Sequence, residues 1–164
     1  VSVLKLEGRG RSADYVYTVT KCYREAIDAY QNGSYSRENV ANWEARLATV
    51  FNRGFWDGYY LGRKMGEWND VYGSKATKRK IYIGKGIKFF EKASVAEFKL
   101  ETHSLSVGDE IMVTGPTTGY IEAKVSEIRI NDQPVEKVNR GEQFSIHLSE
   151  KIRPSDKLYK VVDA

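Results

Sequence analysis

The chain has 164 residues, 41% of them hydrophobic and 29% charged, with a formal net charge of +4. This composition fits a soluble globular protein and excludes the disordered and helical membrane classes, because no apolar run approaches the length of a bilayer span. The single cysteine, Cys22, rules out an intramolecular disulfide and suits a reducing, cytoplasmic location.

The chain does not begin with Met and opens with no signal-peptide pattern, so it reads as a piece of a longer protein. Val3, Leu4 and Leu6 form a strand-like apolar run that ends in Glu7-Gly8-Arg9. A lone strand cannot satisfy its own backbone donors and acceptors, so this one needs a partner elsewhere. From Ser12 to Tyr30, Val16, Val19, Tyr23, Ala26, Ile27 and Tyr30 recur at helical spacing. Ser12 is placed as the N-cap, and Asn32-Gly33 supplies the left-handed residue that ends helices. A second helix is predicted over 37–51, capped by Ser36, with Val40, Trp43, Leu47 and Val50 on one face. The short link predicts a helical hairpin. After Asn52, five glycines up to Gly73 interrupt any long helix, while the aromatics from Phe55 to Tyr72 ask for burial. This stretch reads as an irregular docking segment and linker.

From Lys78 onward the period becomes two, with turn signals every 8–12 residues. The segments 80–90, 95–101, 109–115, 119–130, 141–148 and 156–162 are six strand candidates. "VGD", "GPTTG", "INDQP", "NRG" and "RPSD" separate most of them with turn residues. Short antiparallel strands of this kind close into barrels or fold as sandwiches, and a small barrel over 78–163 is expected. The fold class is therefore α+β, with a helical segment at 1–75 and a β domain at 76–164.

Charge is distributed unevenly. Residues 76–92 hold six basic residues against one acidic, whereas residues 93–164 hold nine against twelve. Lys78, Arg79, Lys80, Lys85 and Lys88 are interleaved with Tyr82, Phe89 and Phe90, a mixture that can neutralise phosphates and stack bases. The same lysines also suit an edge strand kept soluble by charge, and both readings stand. Lys78, Arg79, Lys80, Lys85, Lys88 and Phe89 are the candidate substrate-binding residues.

Self-contained catalytic machinery is not evident. His103, His147 and Cys22 are far apart, without the spacing a zinc site needs, and one cysteine cannot hold an iron–sulfur cluster. Neither an H-E-x-x-H helix nor a G-x-S-x-G elbow occurs, and Gly84-Lys85-Gly86 lacks the second half of a phosphate loop. No cofactor or metal is assigned to this chain. Glu7 and Arg9 sit where a strand turns into a helix, a place where α/β barrels put functional groups. They serve equally to pair with each other or to cap nearby backbone.

Three separated blocks occur in order: Lys5, Leu6, Glu7, Gly8, Arg9, Arg11, Ser12 and Tyr15; then Tyr23, Arg24, Ala26, Ile27 and Asp28; then Asn52, Arg53, Gly54, Phe55 and Gly58. They resemble the C-terminal portion of peptidase family U32, the collagenase-like proteases. The resemblance implies that the first strand and helix close a TIM-like barrel, and that the tail is a small barrel like domain 2 of translation elongation factors. It also implies that the family's cysteine-bearing region lies upstream, so the missing barrel region of the parent protein is the first expected partner. Glu7 and Arg9 are then candidate catalytic residues at the edge of that barrel's site. Members of the family are named as peptidases, and some look like parts of tRNA or rRNA hydroxylation.

The expected function is accordingly the C-terminal part of a collagenase-like peptidase whose β domain recognises a macromolecular substrate, peptide or RNA. The alternative is a non-proteolytic RNA-binding module. No membrane partner is expected. Self-association through residues 1–75 is, because helices taken from a barrel leave Val16, Val19, Trp43 and Leu47 in need of cover.

Overall fold

A computed structural model of the chain describes residues 3–55 and 73–164. It divides into two units, Val1–Arg79 with Ala164, and Lys80–Asp163.

In the first unit, helix α1 (Ala13–Gln31) follows Ser12, although the Ser12 side chain makes no cap bond. Gly33, at φ 71°, ends the helix, and the Ser34 N–H reaches back to the Ala29 carbonyl at 2.8 Å. Helix α2 (Arg37–Ala48) is capped as its sequence predicts: the Ser36 hydroxyl accepts from the Asn39 N–H at 3.1 Å. It ends three residues before the predicted Phe51. The Thr49 hydroxyl turns back on the Arg46 carbonyl at 2.7 Å, and the Asn52 amide donates to the Ala48 and Val50 carbonyls. These bonds satisfy terminal carbonyls that a further turn would otherwise have used.

Burial follows the predicted stripes only in part: Ala26, Ile27 and Val40 are half-buried and Val50 is buried. Cys22 and Ala29 are the buried residues of α1, while Val16 and Tyr23 are exposed and Tyr30 is 78% exposed. Val19, Trp43 and Leu47 are half-buried. Glu25 accepts from Trp43 Nε1 at 3.0 Å and pairs with both Arg46 amino groups, tying the two helices together. The predicted opening strand is not formed: Val3 is 82% exposed, and residues 3–7 join no ladder among the described residues. Most of the aromatic segment read as a docking linker, 56–72, lies outside the described residues.

Ten strands follow, all within the second unit except the first two residues of β1. They are β1 (Lys78–Phe90), β2 (Val95–Leu100), β3 (Ser104–Ser106), β4 (Glu110–Gly115), β5 (Gly119–Lys124), β6 (Ile128–Ile130), β7 (Gln133–Val135), β8 (Lys137–Asn139), β9 (Gln143–His147) and β10 (Lys157–Asp163). Each of the six strand candidates overlaps at least one of them, and 119–130 splits in two at Val125-Ser126-Glu127. Three short strands, β3, β7 and β8, lie in stretches without a strand pattern. Eight strands form one sheet in the order β5-β4-β10-β1-β2-β9-β6-β7, and β3 pairs with β8.

The expected closed barrel is corrected by this order: among the described residues no sheet closes, and β5 and β7 are the two ends of the larger one. Single hydrogen bonds prolong the β4–β5 and β3–β8 pairings past the strand ends. Gly108 N–H donates to the Val125 carbonyl at 2.8 Å, Val125 N–H to Asp109 at 2.9 Å, and Val107 N–H to Glu136 at 3.0 Å. Pro134, in the middle of β7, has no N–H to give to another strand.

Alternation sets the core. Ala96, Phe98 and Leu100 of β2 meet Phe144 and Ile146 of β9, and the rings of Phe98 and Phe144 stack at 5.8 Å. The loops are locked from inside by Asp156, only 3% exposed. Its carboxylate accepts from the Thr118 hydroxyl at 2.5 Å and from the Arg153 N–H at 2.7 Å, which joins the "GPTTG" and "RPSD" turns. A Cβ at Gly115 would overlap this carboxylate, so the first glycine of that turn marks a close approach.

Candidate functional site

Glu7 and Arg9 are both exposed, and the Arg9 N–H donates to Glu7 Oε1 at 3.0 Å. Lys5 lies 3.9 Å from the same carboxylate. These contacts order a turn whose Gly10 has φ 70°. Arg11, next along, lays its guanidinium 3.7 Å from the centre of the Phe51 ring. Cys22 is buried and its Sγ faces the Trp43 carbonyl at 4.0 Å; burial pushes its thiol above the ordinary value, the opposite of what a nucleophile needs.

The basic candidates are on β1, and the structure gives several of them partners. Lys85 pairs with Glu101 at 2.8 Å, and the Tyr82 hydroxyl donates to the other oxygen of that carboxylate at 2.5 Å. The bond to Glu101 and partial burial push the Tyr82 phenol up to about 12. Hydrogen bonds from Lys85 and then Tyr82 hold Glu101 below the usual carboxylate value. Lys80 lies over the Tyr159 ring at 5.8 Å, and Lys88 over the Phe90 ring at 4.8 Å. Phe89 packs against the core. Lys78 is half-buried and also engaged, and Arg79 is exposed. The glycines of "GKG" have steric work: a Cβ at Gly84 would overlap the Lys99 carbonyl on β2.

A groove of about 770 Å³ lies elsewhere in the same unit, on the outer face of β2, β9 and β6. Period-two alternation builds it. While Ala96, Phe98, Phe144 and Ile146 point into the core, their neighbours Val95, Glu97, Ser145 and His147 face outward. The register places Val95 beside His147, Glu97 beside Ser145, and Arg129 of β6 beside Ser145. The walls are Phe90 at the end of β1 and the β6–β7 turn. In that turn Asn131 and Asp132 have φ 49° and 62°, as a two-residue hairpin turn of the primed type requires. Its polar lining includes Gln143, Ser126 and the ion pair of Arg129 with Glu127. Mutual hydrogen bonding lowers the Glu127 carboxyl and raises the Arg129 guanidinium. The volume is in the range of ligand pockets, and its mix of one aromatic wall with hydrogen-bonding side chains suits an extended chain.

Of the sequence-predicted binding residues, none lines this groove, and Phe90 is its only contribution from the basic segment's aromatics. Glu97, Arg129 and Ser145 went unnoticed because no charge run marks them, and His147 was weighed only as a metal ligand. Their signal is the outward half of the alternation in "VAEFKL" and "QFSIHL", which becomes a site only when β2 and β9 are placed side by side.

Residues 1–70 match the model of peptidase family U32. A collagenase of Porphyromonas gingivalis (strain W83) is 59% identical over 160 residues, which cover 98% of this chain and 39% of that protein. The tRNA hydroxylation protein P1 of Bacillus subtilis is 27% identical over 117 residues, 71% of this chain and 27% of that protein. Among solved structures, the C-terminal domain of a U32 peptidase of Geobacillus thermoleovorans aligns with a TM-score of 0.46 and 14% identity, covering 48% of this chain and 90% of that one. The chain spans about two fifths of the length of the collagenases it matches.

Proposed function

The chain belongs to peptidase family U32, and on that premise we propose that its second unit recognises the protein substrate of a collagenase-like peptidase. The observation that carries this reading is the groove on β2, β9 and β6, with a floor of alternating outward side chains and an aromatic wall at Phe90. An extended peptide fits such a surface because its main chain meets polar side chains while its own side chains find Phe90 and Val95. The helical unit then joins the catalytic part of the intact protein, with Glu7 and Arg9 at the edge of the reacting centre.

The alternative, RNA recognition through β1, is favoured by the likeness to a tRNA hydroxylation protein and by the basic excess of 76–92. It is weakened where Lys85 is spent on Glu101. The test is binding of this chain to denatured collagen, with Ser145→Trp filling the floor of the groove. Binding by the parent and a loss of roughly tenfold in the variant support the proposal. Undiminished binding by a folded Ser145→Trp, or no binding by the parent, overturns it.

A further inference from the structure

Resting on that reading, we infer that the groove selects a cationic side chain, Lys or Arg, on the extended peptide that it takes. Three carboxylates line it, Glu97, Glu127 and Asp132, against one guanidinium, Arg129. Arg129 is ion-paired with Glu127, while neither Glu97 nor Asp132 makes an ion pair among the described residues. Lys88 stands opposite Glu97 in the β1–β2 ladder, yet its ammonium lies over the Phe90 ring at 4.8 Å. That contact already seats a cation on the aromatic wall of the groove, and Phe90 is 41% exposed. An incoming guanidinium therefore meets Glu97 on the floor and Asp132, which also acts on Arg129, at the β6–β7 turn, and it shares the Phe90 face with Lys88 or displaces it. Selection by charge at such a surface acts mainly by excluding the wrong partner: an acidic peptide would bring like charges against Glu97 and Asp132.

The experiment measures fluorescence anisotropy of this chain with two labelled peptides of equal length, one bearing Arg and one with Glu at the same positions. The Arg peptide is expected to bind roughly tenfold tighter, and E97Q/D132N to remove most of that preference. Thermal melting of E97Q/D132N within a few degrees of the parent shows that the variant is folded, and Phe90→Leu provides a second variant that keeps every charge while weakening the cation contact. Equal affinity for the two peptides, or a preference that survives E97Q/D132N, overturns the inference. So does displacement of the Arg peptide by single-stranded RNA, or loss of its binding through self-association of the chain. Denatured collagen separates the two claims. Groove-dependent binding of it without charge preference leaves the recognition reading standing and this inference fallen; selective Arg-peptide binding without collagen binding does the reverse.

Discussion

Asp156 shows how one side chain holds two turns. Its carboxylate is buried, bonded to the Thr118 hydroxyl and the Arg153 N–H, and Gly115 leaves it room. Gly115→Ala should destabilise the chain by about 2 kcal/mol or more, because a methyl group there must displace either the carboxylate or the strand end. Urea unfolding of the variant measures this; a change within error would show that the turn relaxes freely. Tyr82 makes a second residue-scale case. Its phenol is raised to about 12, so the neutral form is favoured in the folded chain. The stability it lends is complete below the ordinary tyrosine value of 10.0 and is lost as pH rises from there through about 12. Absorbance titration of the parent against Tyr82→Phe should show one tyrosine ionising late. The "GPTTG" and "RPSD" turns were legible as turns, but their union through Asp156 was not, since the residues that meet lie 38 positions apart.

At the scale of elements, the helices and the long strands were legible because each carries its own period and its own caps. Ser36 caps α2 with a real hydrogen bond, whereas Ser12 precedes α1 without one. Ser36→Ala should therefore cost about 1 kcal/mol, and Ser12→Ala close to nothing, as hydrogen exchange at the first-turn amides of each helix would show. The seam between α1 and α2 was legible only in part: Trp43 lies on the predicted face of α2, but what it meets on α1 was not predicted. Cys22 and Ala29 are small residues outside the strongest apolar stripe, and Glu25 bridges to Trp43 and Arg46 through hydrogen bonds that no hydrophobic pattern encodes. The bonds from Arg46, then Trp43, hold the Glu25 carboxyl below its ordinary value of 4.5. Its contribution is thus present above that value and fades as pH falls through the lowered one. Hairpin stability followed by circular dichroism should drop on acidification in the parent and less so in Glu25→Gln. The strands β3, β7 and β8 were missed because three residues carry too little alternation to read, and each depends on a partner for its definition.

For the molecule as a whole, the basic stretch was the loudest feature of the sequence and the groove the quietest. Net charge counts side chains without their partners. Once Lys85 meets Glu101, the surplus on β1 is smaller than the sequence suggests. The groove is the converse: single outward residues on β2, β6 and β9, unremarkable alone, converge through register. Family membership was legible from three short blocks around Glu7, Tyr23 and Asn52, since their order and spacing are specific even where their structure is not. The exposed Val16, Tyr23 and Tyr30 leave the helical unit with an apolar face, and light scattering of this chain should report self-association that Tyr23→Lys weakens.

The central claim is that substrate meets this chain at the groove and not along the basic strand. Backbone amide shifts of the labelled chain, followed during titration with a denatured collagen peptide, test it most directly. The shifts should gather at Val95, Glu97, Arg129, Ser145 and His147. Shifts gathered at Lys78 to Lys85 instead, with that group unmoved, would contradict it.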